Sequence, residues 1–291
     1  MIRRTCGITV DRVARRYLLA EPDGPPNGVV VSLHGSRSSA EGQVRLSRLD
    51  RLADRVGAAV AFPQAVSPIG SGYEWDLDGD LPFLAAVVEE LRVRCSPPPG
   101  RVAMTGMSGG ARMSCRFADT HAESVSMVGA VGGLRAPGRR PSRPVPILAF
   151  HGTADRINPY NGGGNPRWVE SVPDAARAWA EANGQAAEPT TTAVTPRLTR
   201  TTYGTNGGTG EVTLWTSAAA GHTWPGAHLG LFLRMFLGRT TTEIDASDEV
   251  WSFAQRHAND PCHLVRRESQ PSGTVACRLV TEIEKVPLEA R

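Results

Sequence analysis

The sequence predicts an α/β chain: a mainly parallel central sheet covered by helices on both faces. Three observations carry this expectation. Short, continuous apolar runs rich in β-branched residues recur along the chain, as strands buried on both faces require. Amphipathic patterns at helical spacing separate them, so strands and helices alternate. The chain has 291 residues, 40% of them hydrophobic, which suffices for one large domain with a real core.

Thr5–Val10 and Arg15–Leu19 read as a hairpin around Asp11-Arg12. Gly28–Leu33 (GVVVSL) is the first buried strand, and Leu46, Leu49, Leu52, Ala53 and Val56 then recur at helical spacing. Ala58–Phe62 is a second strand, ended by Pro63, and Phe83, Leu84, Val87, Val88 and Leu91 mark another helix. Val102–Thr105 is a third strand, followed by a helix over Ala111–Asp119. Ser124–Val131 and Val145–Phe150 are further strands, and Ala175–Ala182 is a helix closed by Asn183-Gly184. Glu211–Thr216 is the last clear strand, and Asp248–Ala258 an amphipathic helix. Residues 1–258 are thereby expected to form one catalytic domain. Residues 259–291 are left as a C-terminal extension, with Thr274–Val280 as a candidate edge strand.

Composition excludes several classes. Net charge is only +3, from 32 basic and 29 acidic residues, which gives no reason to expect nucleic acid or an anionic membrane as partner. Lys285 is the only lysine, a bias better explained by a GC-rich genome than by a binding surface. No apolar run is long enough for a membrane span, and the N-terminal residues lack the apolar run of a signal peptide. Five scattered cysteines, with no CxxC and no zinc spacing, predict reduced thiols, no metal, no cofactor and a cytoplasmic setting. A Cys262–Cys277 bridge is the alternative for an oxidising compartment. The Pro/Arg-rich stretch Arg135–Pro146 reads as a solvated loop, with binding of an anionic substrate as the rival reading.

The strongest chemical signal is Gly106-Met107-Ser108-Gly109-Gly110, between a strand and a helix. A strand-to-helix turn this tight demands glycines on steric grounds, and it lifts Ser108 to the edge of the sheet. Met107 is expected to aim its backbone N–H at a developing oxyanion. A nucleophilic serine needs a base, and the base an orienting acid. Of the 7 histidines, His222 stands apart, in the rigid loop Gly221–Gly226 after the last strand. Asp155 follows the preceding strand, and His151, at the end of that strand, is expected to support the turn. Ser108, Asp155 and His222 each fall just beyond the C-terminal end of a different strand, where open α/β sheets place their sites. Their order, Ser…Asp…His, is that of the α/β-hydrolase fold. A second oxyanion donor is expected from Leu33–Ser39: the Ser36 N–H, with Gly35 as its rival. His34 is expected to be structural.

Gly28–His257 resembles the polyhydroxybutyrate depolymerase and feruloyl esterase group of α/β-hydrolases. The resemblance rests on LHG (Leu33–Gly35), GMSGG (Gly106–Gly110), HGTAD…NPYNGGG (His151–Gly164), GHTWPG (Gly221–Gly226) and IDASDEVWSFAQRH (Ile244–His257). It implies a serine carboxylic-ester hydrolase with nucleophile Ser108, acid Asp155 and base His222, acting on a small-molecule ester. It also implies that Trp224 and Tyr160 lie near the acyl pocket. Many members carry cysteines where this chain has Ser36 and Gln185, and paired aspartates where it has Gly79-Asp80. These departures, and the absence of a recognisable polymer-binding domain, point to a soluble ester, hydrophobic or aromatic.

Two other functions fit the same residues. An acyltransferase or cyclase would use the same acyl-enzyme with an acceptor other than water. A binding protein on the fold would need no intact triad. One segment adds a specificity hypothesis: Ala227–Leu237 (AHLGLFLRMFL) follows His222 and is apolar on nearly every side of a helical wheel. It is either a core-facing helix or a pocket wall in which Leu231 and Phe232 meet the substrate. Oligomeric state is not legible.

Overall fold

Six parallel strands form the centre of one ten-stranded sheet, and an antiparallel hairpin extends each side. The computed structural model describes residues 2–98, 100–163, 168–185 and 188–258. The strands of the sheet are β1 (Ile2–Val10), β2 (Val13–Glu21), β3 (Val29–Leu33), β4 (Ala59–Pro63), β7 (Val102–Met107), β8 (Met127–Val131), β9 (Ile147–Gly152), β10 (Thr190–Thr195), β11 (Leu198–Tyr203) and β12 (Val212–Ser217). A small separate hairpin pairs β5 (Ser67–Ile69) with β6 (Gly72–Glu74). Across the sheet the order is β1-β2-β4-β3-β7-β8-β9-β12-β11-β10. Strands β4, β3, β7, β8, β9 and β12 run parallel to their neighbours. The helices are α1 (Ala40–Ser47), α2 (Leu52–Val56), α3 (Leu81–Cys95), α4 (Gly109–Thr120), α5 (Val172–Ala182), α6 (Leu231–Leu237) and α7 (Ala246–Arg256).

The central strands are apolar without alternation because both faces are covered. In β3 all five residues are buried: Val29, Val31 and Leu33 face one core, and Val30 faces the other. The first core packs α3, α4 and α5 through Phe83, Leu84, Phe117 and Trp179. The second packs α1, α2 and α7 through Ala40, Leu52, Val250 and Phe253. Arg15 of β2 pairs with Asp80 at the start of α3 at 2.7 Å, both buried, and its guanidinium lies over the Phe83 ring. That pair fixes the outer hairpin to the helical layer, and loss of either partner would strand a buried charge.

Several elements differ from the sequence-based expectation. The helix expected through Leu46–Val56 is broken at Arg48, which takes φ 56° and separates α1 from a short 3₁₀ turn and α2. Strands β10 and β11 were not expected, because β10 is threonine-rich and almost wholly solvent-exposed and so has no apolar face to read. Strand β7 runs two residues past Thr105, through Gly106 and Met107. The Asp11-Arg12 turn is as expected, with φ 49° and 66°, the mirror-image turn that matches strand twist. The extension 259–291, the Thr274–Val280 strand and the Cys262–Cys277 bridge lie outside the described residues.

Cys6, Cys95 and Cys115 are buried and unpaired. Burial pushes the Cys95 thiol up to about 11 and the Cys115 thiol up to about 12. Native protein at pH 8 is therefore expected to leave these three thiols unmodified by a disulfide reagent until denaturant is added, because the thiolate is the reactive form. Peptide mapping after brief labelling checks this, and modification of Cys115 at the rate of a free thiol would contradict its burial.

Candidate active site

The turn after β7 is built from backbone-to-backbone approaches that no side chain tolerates. A Cβ on Gly106 would lie 2.5 Å from the Gly110 carbonyl carbon, and one on Gly110 would lie 2.6 Å from the His34 oxygen. These glycines let α4 start directly against the end of β3. Between them Ser108 is forced to φ 54° and ψ −113°, a conformation that costs a non-glycine residue about 1–3 kcal/mol. Its N–H donates to the Val131 carbonyl of β8 at 2.8 Å, which fixes the elbow to the sheet.

Asp155 and His222 meet nearby. The His222 Nδ1–H donates to Asp155 Oδ2 at 2.6 Å, and both residues are buried. The other carboxylate oxygen accepts the Ile157 and Asn158 amides at 2.9 and 2.8 Å. Burial alone would raise the pKa of Asp155. Hydrogen bonds from His151, His222 and the Asn158 amide outweigh it and hold the carboxyl well below the usual carboxylate range. With Nδ1 committed to Asp155, His222 keeps Nε2 as its basic nitrogen. A Cβ on Gly132 would lie 3.3 Å from the His222 ring, and Gly132 directly follows the Val131 that binds the Ser108 amide. The histidine and the serine therefore flank the same turn after β8. The Asn158 side chain donates to the Gly132 carbonyl at 2.6 Å and ties the Asp155 loop to that turn.

His151 is more involved than the sequence indicated. Its Nε2–H donates to the Asn158 carbonyl at 2.8 Å and lies 3.3 Å from Asp155 Oδ2. The only available signal was its position four residues before Asp155. His34 is fully buried: its Nδ1–H donates to the Gly35 carbonyl at 2.9 Å, and its Nε2 accepts the Ala65 amide at 3.2 Å. Both nitrogens are occupied and burial lowers its pKa, so it is a neutral structural residue.

Ser36 sits beside the elbow, where a Cβ on Gly109 would lie 3.0 Å from the Ser36 nitrogen. Among the described residues, neither the Ser36 N–H nor the Gly109 N–H has an acceptor. Met107 is placed differently. It is the last residue of β7, in register with Val131. Successive strand amides point to opposite neighbours, and the Ser108 amide points to β8, so the Met107 amide faces β3 within the sheet.

The residues expected at the acyl pocket are dispersed. Trp224 is 1% exposed, and its indole N–H donates to Ser247 at 3.1 Å in the second core. The Tyr160 hydroxyl bonds Thr216 at 3.1 Å, and its ring tilts against His151. Leu231 opens α6 and is 77% exposed. Phe232 lies in α6, and its side chain is outside the described residues. Among the described residues no cluster of His, Cys, Asp or Glu is arranged to hold a metal ion, and no helix is long and apolar enough to cross a membrane.

No family model matches the chain. It is 31% identical over 261 residues to a protein of Nocardia uniformis subsp. tsuyamanensis named as an esterase, NocK, with 80% of this chain and 75% of that one covered. It is 29% identical over 179 residues to feruloyl esterase B of Piromyces equi, a match covering 55% of this chain and 33% of the relative. Among solved structures, the acetyl xylan esterase of Aspergillus awamori superposes with a TM-score of 0.56 at 20% identity, covering 72% of this chain and 89% of that one, which is a likeness of fold. The relatives' names favour hydrolysis over acyl transfer to another acceptor. The chain is a carboxylic ester hydrolase and belongs to the feruloyl-esterase-like family of α/β-hydrolases.

Proposed function

We propose that Ser108, His222 and Asp155 act as one catalytic unit that hydrolyses a small-molecule ester through an acyl-enzyme. The observation that carries this reading is the 2.6 Å bond from His222 to a buried carboxylate, beside the strained serine turn. His222 Nε2 takes the Ser108 proton as the hydroxyl oxygen attacks the ester carbonyl. Asp155 holds the tautomer and stabilises the imidazolium that forms. The imidazolium then gives its proton to the departing alcohol. Water, activated by the same nitrogen, cleaves the acyl-enzyme. The oxyanion is held by the Ser36 and Gly109 amides. Gly109 replaces Met107 in this role because its amide has no sheet partner and lies at the start of α4, where the helix dipole favours negative charge.

The acyl side is assigned to α6. A core-facing helix does not fit it, because Leu231, Met235 and Phe236 are 77%, 76% and 65% exposed. The helix is nonetheless tied to the catalytic loop: the His222 N–H donates to the Leu237 carbonyl at 2.6 Å, and the Gly221 N–H to the Arg239 carbonyl at 2.9 Å. An apolar helix fixed at one end beside the base supports a wall that excludes water from a hydrophobic or aromatic acyl group. Leu231 and Phe232 remain the residues assigned to it, and the relative named feruloyl esterase supports an aromatic acyl group. Trp224 is assigned to packing, and Tyr160 to bracing His151 behind the acid. Residues 1–258 form the catalytic unit in this reading, and the unpaired Cys6, Cys95 and Cys115 support a cytoplasmic setting.

Ser108→Ala is expected to lower kcat on p-nitrophenyl esters by a factor on the order of 10³–10⁶. His222→Ala should cost a similar factor, and the double variant hardly more than either alone, because the residues act as a unit. Steady-state kinetics on the three variants check this; multiplied losses would show that the residues do not cooperate. Leu231→Ser and Phe232→Ser should raise KM for long-chain or aromatic esters several-fold more than for acetate. Equal changes across the ester panel would place the acyl pocket elsewhere.

A further inference from the structure

A cleft of about 610 Å³ runs along α4 away from the elbow, lined on its charged side by Glu74, Asp76, Arg112, Arg116, Asp119 and Arg135. Trp75 forms the wall nearest the oxyanion loop, where its indole N–H donates to the His34 carbonyl at 2.8 Å. Most of the charge here is internally matched. Arg116 pairs with Asp78 at 2.6 Å and with Asp119 at 3.2 Å. Arg112 lies 3.8 Å from Glu74. The Asp76 carboxylate accepts the Asp78 and Gly79 amides at 3.1 and 3.0 Å.

In the Pro/Arg-rich loop after β8, two of the four arginines are held by backbone carbonyls. Arg139 donates to the Asp119 carbonyl at 2.9 Å and Arg143 to the Ala122 carbonyl at 3.1 Å, so both staple the loop to the domain. Arg135 instead lies half-buried, its guanidinium 3.8 Å above the Trp168 ring. Among the described residues it makes no ion pair with a carboxylate. Burial and the charge of Arg112 lower its pKa to about 10, with Glu170 opposing the shift. A half-buried cation held beside a second cation gains most from an incoming anion, and the flat guanidinium fork suits a carboxylate.

The cleft adjoins the serine through the chain itself. The Arg112 amide donates to the Ser108 carbonyl at 3.0 Å, so Arg112 sits one turn, about 6 Å of rise, along α4. Arg135 follows by two residues Gly133, which packs against the Ser108 carbonyl.

We propose that Arg135, flanked by Arg112, binds a carboxylate carried by the ester substrate, so that the natural substrate is an anionic ester. This rests on Ser108 as nucleophile. One guanidinium with no carboxylate in ion-pair contact among the described residues matches a monoanion, which favours a carboxylate over a phosphate.

Two matched ester pairs test the proposal. Mono-p-nitrophenyl adipate against p-nitrophenyl hexanoate places the charge on the acyl side. Para-acetoxybenzoate against its methyl ester places it on the leaving group. In one pair, kcat/KM for the anionic member should exceed that of the neutral member by about tenfold or more, as one charge-assisted contact predicts, and the ratio should fall with added salt. Arg135→Gln should collapse that ratio towards one, and Arg135→Lys should restore part of it. If Arg135→Gln fails to fold, the ratio and its salt dependence in the unmodified enzyme decide. A ratio of one or less in both pairs overturns the proposal. If no ester of either kind is hydrolysed, the esterase reading of Ser108 fails instead. Calorimetric titration of the unmodified protein with adipate and with para-hydroxybenzoate then decides the anion site, and no binding of either acid overturns it.

Discussion

The close crossing of the β3 end by the first turn of α4 is the constraint on which the site depends. Gly110 rests on the carbonyls of Leu33 and His34, and Gly106 rests on Gly110. Nothing larger than hydrogen fits at either contact. This crossing sets where the helix starts, and so forces Ser108 into its left-handed φ. It also brings the Gly109 amide beside Ser36, two N–H groups that have no acceptor among the described residues. Strain at the serine, on the order of 1–3 kcal/mol, is small against what a well-packed sheet supplies, so the elbow persists. The sheet contributes directly through the Val131 carbonyl, which fixes the Ser108 amide from the other side.

The second half of the site works by solvent exclusion. Asp155 is buried, and a buried carboxylate is stable as an ion only when its oxygens are filled. Here the Ile157 and Asn158 amides fill one oxygen, and His222 and His151 share the other. The same bonds that keep Asp155 ionised also orient the His222 ring. Asn158 serves both ends, since its amide binds Asp155 and its side chain holds the Gly132 carbonyl. The Asp155 loop and the turn beneath His222 are thus tied to each other.

What was legible in the sequence follows from which faces are buried. Strands β3, β4, β7, β8 and β9 stand out as unbroken apolar runs because helices cover both their faces. Strands β10 and β11 were invisible because threonines carry them and solvent faces much of them. The break at Arg48 had no glycine to announce it. The candidates Ser108, Asp155 and His222 stood out in the sequence because each falls at a strand end in a fixed order, a property of topology rather than of spacing. The place of the Met107 amide was not legible, for a local reason: the apolar run of β7 ends at Thr105, which leaves that amide open in the sequence. With β7 extended to Met107, that amide belongs to the sheet, and the first without an acceptor among the described residues is at Gly109. A helical wheel apolar all round gave α6 two readings, since it records composition and not which side is covered.

In the proposed mechanism the chemistry is indifferent to the substrate, because the proposed nucleophile, base, acid and two amides would touch only the ester group. Selectivity must come from the surroundings, and these differ sharply in kind. Past His222 stands α6, with exposed leucine, methionine and phenylalanine side chains and a single arginine. Along α4 lies a cleft of arginines and carboxylates, in which Arg112 and Arg116 lie beside acidic partners and Arg135 makes no ion pair among the described residues. An ester filling both would have an apolar or aromatic body and one acidic end. The apolar part contributes binding roughly in proportion to buried area, whatever the detailed shape. The charged part contributes orientation, because an anion seated at Arg135 restricts which bond can lie over Ser108. On the two proposals together, the helix would govern how tightly an ester binds, and the arginine which ester bond is presented.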